Sequence, residues 1–125
     1  MRYQLVLTKP FEKAYKKFAG KNQLLKANIH KALEKLTANP YEPSLRTHKL
    51  SGKLAAYLAC FCGYDCRIIF TIEKDLEIPE QENIVLLDIG THDNVYWPYQ
   101  SMLLSITEQY KSTSIKYATN NMLPI

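Results

Sequence analysis

Of the three histidines in this 125-residue chain, two stand in segments suited to chemistry. His48 lies in Thr47-His48-Lys49-Leu50-Ser51-Gly52, and His92 in Gly90-Thr91-His92-Asp93. Imidazoles titrate near neutrality, so one can take a proton while the other gives one in a single displacement, each contributing about 10²- to 10⁴-fold. A guanidinium such as Arg67, helped by lysines, can hold the charge that develops on a phosphate. Together these are the parts for metal-free RNA cleavage, in which the 2′-hydroxyl attacks the adjacent phosphorus. Asp65 and Asp88 offer a metal-dependent route, since Mg²⁺ often takes one or two carboxylates together with substrate oxygens. No Walker loop and no Gly-x-Gly-x-x-Gly sequence points to other nucleotide chemistry. His30, between Ile29 and Lys31, reads as a packing or helix-surface residue.

Positioning such groups takes a small sheet, and the hydrophobic pattern supplies one. Arg2 to Leu7 is rich in strand formers. Thr8 as N-cap, Pro10 in the first turn, and Phe11, Ala14, Tyr15 and Phe18 at i, i+3, i+4, i+7 predict a helix that stops at Gly20. A second helix runs from Asn22 to about Asn39 on Leu25, Ile29, Ala32, Leu33 and Leu36, and Asn39-Pro40 ends it. The short link makes the two an antiparallel hairpin. Residues 41–53 read as an irregular loop holding Arg46, His48 and Lys49. Three strands follow at Leu54–Phe61, Cys66–Ile72 and Asn83–Ile89, joined by a tight turn at Gly63-Tyr64-Asp65 and a longer acidic loop over residues 73–82. The expected fold is α+β: a small antiparallel sheet of about four strands with the helical hairpin on one face, ordered strand-helix-helix-strand-strand-strand.

A period of two assigns the faces. Leu58, Cys60 and Cys62 share one side, and Cys66, Ile68, Phe70 and Ile72 another that the helices should cover. Asp65, Arg67, Ile69 and Thr71 lie opposite. In the last strand Val85, Leu87 and Ile89 share a side, which leaves Asp88 and His92 on an open polar face with Asp65 and Arg67. Beyond residue 97 a weak helical period at Met102, Leu103, Ile106 and Tyr110 precedes a polar stretch, so 98–125 reads as an extension with a short helix and a flexible tail.

The net charge of +4 hides a division. Residues 1–53 hold twelve Lys/Arg against three Asp/Glu, and residues 54–125 hold four against nine. The cationic front half suits a phosphate backbone or an acidic protein partner, although lysines such as Lys13, Lys16 and Lys17 also suit a solvated helix face. No apolar run approaches the roughly 20 residues of a membrane span, and the N-terminus lacks a signal-peptide core, so a single cytoplasmic domain is expected. Cys60, Cys62 and Cys66 are expected to be reduced and buried, with neither a disulfide framework nor a metal site.

His48-Lys49-Leu50-Ser51-Gly52, Tyr57, the run from Gly63 to Phe70, and Ile89 to Tyr96 resemble, in that order, the RelE/ParE superfamily of bacterial toxins. The likeness is closest to the YafQ-like branch and covers about residues 1–97. Its most specific part is H-x-L-x-G, an aspartate before the apolar strand, and G-T-H followed by an aromatic. The resemblance implies a ribosome-dependent mRNA endoribonuclease in residues 1–97, needing no cofactor or metal and neutralised by a cognate antitoxin in a hetero-oligomer. His48, Asp65, Arg67, His92 and Tyr96 would be catalytic. Lys13, Lys16, Lys17, Arg46, Lys49, Lys53 and Phe61 would hold the RNA of ribosome and message. Phe61 departs from the branch, which has a further histidine there, and offers a surface for base stacking instead. Read alone, Asp65 is equally a turn residue, Arg67 a cross-strand partner and Tyr96 a lid on the core. Two alternatives share the fold: a ParE-like inhibitor of DNA gyrase, and an inactive paralogue that binds antitoxin.

Overall fold

The computed structural model describes residues 3–50, 56–63, 65–91 and a strand at 115–117. The chain forms β1 (Gln4–Leu7), α1 (Lys9–Ala19), α2 (Gln23–Ala38), a 3-10 turn (Pro43–Leu45), β2 (His48–Lys49), β3 (Leu58–Phe61), β4 (Arg67–Lys74), β5 (Glu82–Gly90) and β6 (Ile115–Tyr117). The strands make one sheet in the order β2-β3-β4-β5-β1-β6. This is the α+β arrangement expected, with the four principal strands in the expected chain order and a short strand added at each edge. β2, β3, β4 and β5 pair antiparallel, whereas β1 runs parallel to β5, so the sheet is mixed. Parallel neighbours need a crossover, and α1 and α2 lie in the connection that leaves β1.

The helices begin and end where local chemistry dictates. The Thr8 hydroxyl accepts from the Phe11 N–H at 3.2 Å and donates to the Leu86 carbonyl at 2.9 Å, so one side chain caps α1 and ties it to β5. Gly20 closes α1 at φ 53°, a left-handed conformation, while its N–H donates to the Lys16 carbonyl. The Asn22 side chain caps α2, which stops at Ala38 ahead of Asn39-Pro40. The apolar stripes of both helices meet one face of the sheet: Phe11, Tyr15, Ile29, Leu33 and Leu36 pack with Leu58, Cys60, Ile68, Phe70, Ile84, Leu86 and Ile89.

The other face departs from expectation. Val6, Tyr57, Ala59, Ile69, Val85 and Leu87 form a second buried cluster there, so its centre is apolar rather than polar. Strands buried on both sides read as unbroken apolar runs, which accounts for Ile68-Ile69-Phe70 and Ile84 to Leu87. The alternation read for β5 also fails at one point. Ile69 pairs with Asp88 but Phe70 pairs with Leu86, which leaves Leu87 as an extra residue in a β-bulge. The bulge re-phases the strand: Val85 and Leu87 join the far cluster, while Ile89 reaches the helix-side core.

Two further expectations are corrected. His48 and Lys49, read as part of an irregular loop, pair with Ala59 and Leu58 as β2. Cys62 and Cys66, expected reduced, form a disulfide across the β3–β4 turn. The turn brings their Cα atoms to 5.1 Å, inside the range a disulfide spans, and the Cys62 N–H donates to the Cys66 carbonyl at 3.1 Å. Cys60 keeps a free thiol, pushed by burial to about 12. The helix expected near residues 102–110 lies outside the described residues, and part of the polar stretch after it supplies β6, antiparallel to β1. Among the described residues no helix is long and apolar enough to cross a membrane.

Candidate functional site

The 3-10 turn ends at Arg46, whose φ of 51° turns the chain back so that β2 can join the edge of β3. His48 follows, exposed, with Nδ1 at 2.9 Å from the Arg46 carbonyl oxygen. A carbonyl can only accept, so Nδ1 carries the hydrogen of this bond and the ring orientation is fixed through it. Register puts His48 opposite Ala59, Ala59 opposite Ile69 and Ile69 opposite Asp88, one row across the face away from the helices.

The adjacent row joins Phe61, Arg67 and Gly90. Cross-strand partners point to the same face, and the Arg67 guanidinium lies 3.8 Å from the centroid of the Phe61 ring. Its Nη1 also donates to the Cys66 carbonyl at 3.4 Å. Arg46 reaches the same ring at 5.5 Å, so two guanidiniums gather on one aromatic. Arg67 is half-buried and Arg46 exposed. Diagonal neighbours in an antiparallel pair are about 7–8 Å apart, which brings the base of His48 within a nucleotide's length of the Phe61 ring.

Asp65 sits in the turn between Phe61 and Arg67, exposed and left-handed at φ 51°. Asp and Asn tolerate that conformation better than most residues, so its position in the turn has a local physical cause as well. Asp88 is largely buried, which pushes its carboxyl up to about 6, and its hydrogen bond from the Ile89 N–H opposes part of that shift. The two carboxylates considered for a metal are thus split between a turn and the middle of the sheet. Among the described residues no group of three His, Cys, Asp or Glu side chains could hold a metal ion.

The structure therefore gathers His48, Arg46, Phe61 and Arg67, with Asp65 in the connecting turn. It separates them from Lys13, Lys16 and Lys17, which are exposed on α1 over the opposite face of the sheet. Lys49 is exposed on β2, and its partner Leu58 belongs to the helix-side core. Lys53, His92 and Tyr96 lie outside the described residues; β5 ends at Gly90, opposite Arg67. His30 is a packing residue, with Nε2 3.2 Å from the Tyr15 hydroxyl and its ring stacked on that tyrosine. Burial lowers its affinity for a proton. The guanidinium pair on Phe61 was not legible as a unit, because Arg46 and Arg67 are far apart in sequence and meet only through register.

The family described as "Bacterial toxin of type II toxin-antitoxin system, YafQ" matches residues 3–96. The chain belongs to this family. Solved structures share the fold at low identity. A YoeB/ParE toxin from Agrobacterium tumefaciens is 13% identical, with a TM-score of 0.60 over 71% of this chain and 98% of its own. The YafQ of the E. coli DinJ-YafQ complex is 18% identical, with a TM-score of 0.53 over 75% and 98%. The YoeB-YefM complex from Staphylococcus aureus gives 19%, 0.54, 74% and 99%. No curated protein matches in sequence. The YafQ-family match thus spans the helical hairpin, β2 to β5 and the positions of His92 and Tyr96, and leaves residues 97–125 beyond it.

Proposed function

We propose that this YafQ-family toxin is a ribosome-dependent mRNA endoribonuclease working by metal-free acid-base catalysis. The observation that carries this reading is an exposed His48 held through Nδ1, one row from the Arg67 guanidinium mounted on Phe61 at one end of the sheet. His48 Nε2 would take the proton from a 2′-hydroxyl as that oxygen attacks phosphorus. Arg67, with Arg46 beside it, would neutralise charge gathering on the phosphoryl oxygens. The P–O5′ bond breaks, the leaving oxygen takes a proton from His92, and the products are a 2′,3′-cyclic phosphate and a 5′-hydroxyl. Asp65 would orient the hairpin end of the site and Tyr96 would pack on the substrate.

Lys13, Lys16 and Lys17 lie on the other side of the sheet, so they would grip ribosomal RNA rather than the scissile strand; Arg46, beside Phe61, would hold the message, and Lys49 and Lys53 would add to RNA binding. The residues to 97 would form the toxin domain, carrying 98–125 as an extension. DinJ-YafQ and YoeB-YefM are complexes, which supports an antitoxin as this chain's partner, in a cytoplasmic hetero-oligomer. Mapping transcript 5′ ends in cells that express the chain tests the reading. Discrete new ends within coding sequence, absent with His92→Ala, are expected. Intact transcripts together with inhibited DNA supercoiling would replace it with the gyrase alternative.

A further inference from the structure

Beside the guanidinium pair lies a cleft of about 220 Å³ between α2, the 3-10 turn and the end of β3, lined by Asn28, Lys31, Lys35, Ser44, Leu45 and Phe61 among others. β2 pairs only as far as Ala59, so the edge of β3 beyond it is left to this cleft, and Phe61 serves as a wall of both the cleft and the Arg67 site. The floor is apolar: Leu45 is 1% and Ala32 5% exposed. The rim is cationic and polar. Lys35 donates to the Ser44 hydroxyl at 2.8 Å, which also bonds the Glu42 carboxylate, so that lysine is fixed in place and partly neutralised. Lys31 is exposed and makes no hydrogen bond or ion pair among the described residues. Gly63 opens the far wall, where the Asn28 side chain approaches to 3.6 Å from the position a Cβ would take.

An apolar slot with an aromatic wall, one amide and cations at the mouth matches the two halves of a nucleotide, a flat base and a phosphate. We propose that this cleft is a subsite for one nucleotide of single-stranded RNA next to the nucleotide that reaches Arg67. Its base lies against Leu45 and the Phe61 edge, and its phosphate meets Lys31. The inference rests on the RNA-cleaving function and adds a position along the strand. It also gives Phe61 two tasks, holding Arg67 with its face and bounding the neighbouring base with its edge.

The test is an amide NMR titration of the full chain with a 2′-O-methyl RNA trinucleotide, which cannot be cleaved through its 2′-oxygen, and with adenosine and inorganic phosphate separately. The trinucleotide should shift amides at residues 28–35, 44–46 and 61–63. Lys31→Glu should weaken it by about tenfold, while Lys9→Glu, an equal charge change at an exposed position of α1, should weaken it less than about twofold. Equal losses from the two variants would overturn the subsite in favour of diffuse attraction. So would shifts confined to the Arg67 side, or phosphate alone reproducing the whole response. Absence of any trinucleotide response, with cleavage also absent on ribosomes, would remove the RNA reading itself.

Discussion

Arg67 rests its guanidinium on the ring of Phe61, 3.8 Å from the centroid, because register sets the two residues opposite each other at the end of the β3–β4 hairpin. A partly desolvated contact of this kind is worth about 0.5–2 kcal/mol, and it fixes a side chain with four rotatable bonds. Phe61→Leu should therefore slow RNA cleavage by about tenfold through loss of Arg67 placement, with stability changed by about 1 kcal/mol. Phe61→Trp keeps the platform and should restore most of the rate. Rates and denaturation midpoints for both variants check this; equal rates for Leu and Trp would show that the ring does not hold the guanidinium.

Asp88 makes the fold sensitive to pH. Burial raises its carboxyl from 3.8 to about 6, so folding favours the protonated form. A raised acid contributes stability in full below its unfolded value and loses it as pH rises through the folded one. Stability relative to Asp88→Asn should thus fall by roughly 2 kcal/mol between pH 4 and pH 7, after allowance for the carboxyl's remaining solvent contact. Urea unfolding of both proteins at the two pH values measures the difference. A difference that does not change with pH would mean Asp88 is not buried as described.

The Cys62–Cys66 bridge closes a loop of sequence separation 4. So short a loop restrains the unfolded chain by about 2 kcal/mol in the chain-entropy model. Dithiothreitol, or Cys62→Ser with Cys66→Ser, should lower the midpoint of thermal unfolding, and alkylation followed by mass analysis should find only Cys60 free in the unreduced, denatured protein. Cys60→Ser, which puts a hydroxyl in a buried apolar site, should cost stability without altering the bridge.

Thr8 acts on two elements at once, since its hydroxyl caps α1 and bonds the Leu86 carbonyl. Thr8→Ala should cost about 2 kcal/mol, the upper end for a lost cap, because the buried Leu86 carbonyl loses this donor as well. Thr8→Ser should recover most of it. Thermal melts of the three proteins decide the point.

Much of this was written locally. Thr8, Pro10 and Gly20 mark the limits of α1 by cap chemistry, and the stripes on α1 and α2 announce their buried faces at a period of 3.6 residues. β3 and β4 keep their alternation, so Arg67 is legible as lying on the face away from the helices. What sequence did not show depends on pairing between distant segments. A two-residue strand such as β2 has too few positions for a period, and it exists because β3 offers an edge. The β5 bulge adds one residue without any glycine to mark it, so Val85 and Leu87 lie on the side opposite to the one that simple alternation assigns them. The disulfide needs the turn geometry as well as two cysteines. Arg46 and Arg67 converge on Phe61 only once β2, β3 and β4 are in register.

The most direct test is cleavage of mRNA on programmed ribosomes by the wild-type chain and by Arg67→Ala, with His48→Ala alongside, read by primer extension. Wild-type protein should cut the message at defined positions without added metal beyond that needed by the ribosome, and each variant should be slower by about 100-fold or more while remaining folded. Uncut message with the wild-type chain, or cutting unchanged in both variants, would contradict catalysis by His48 and Arg67 at this end of the sheet.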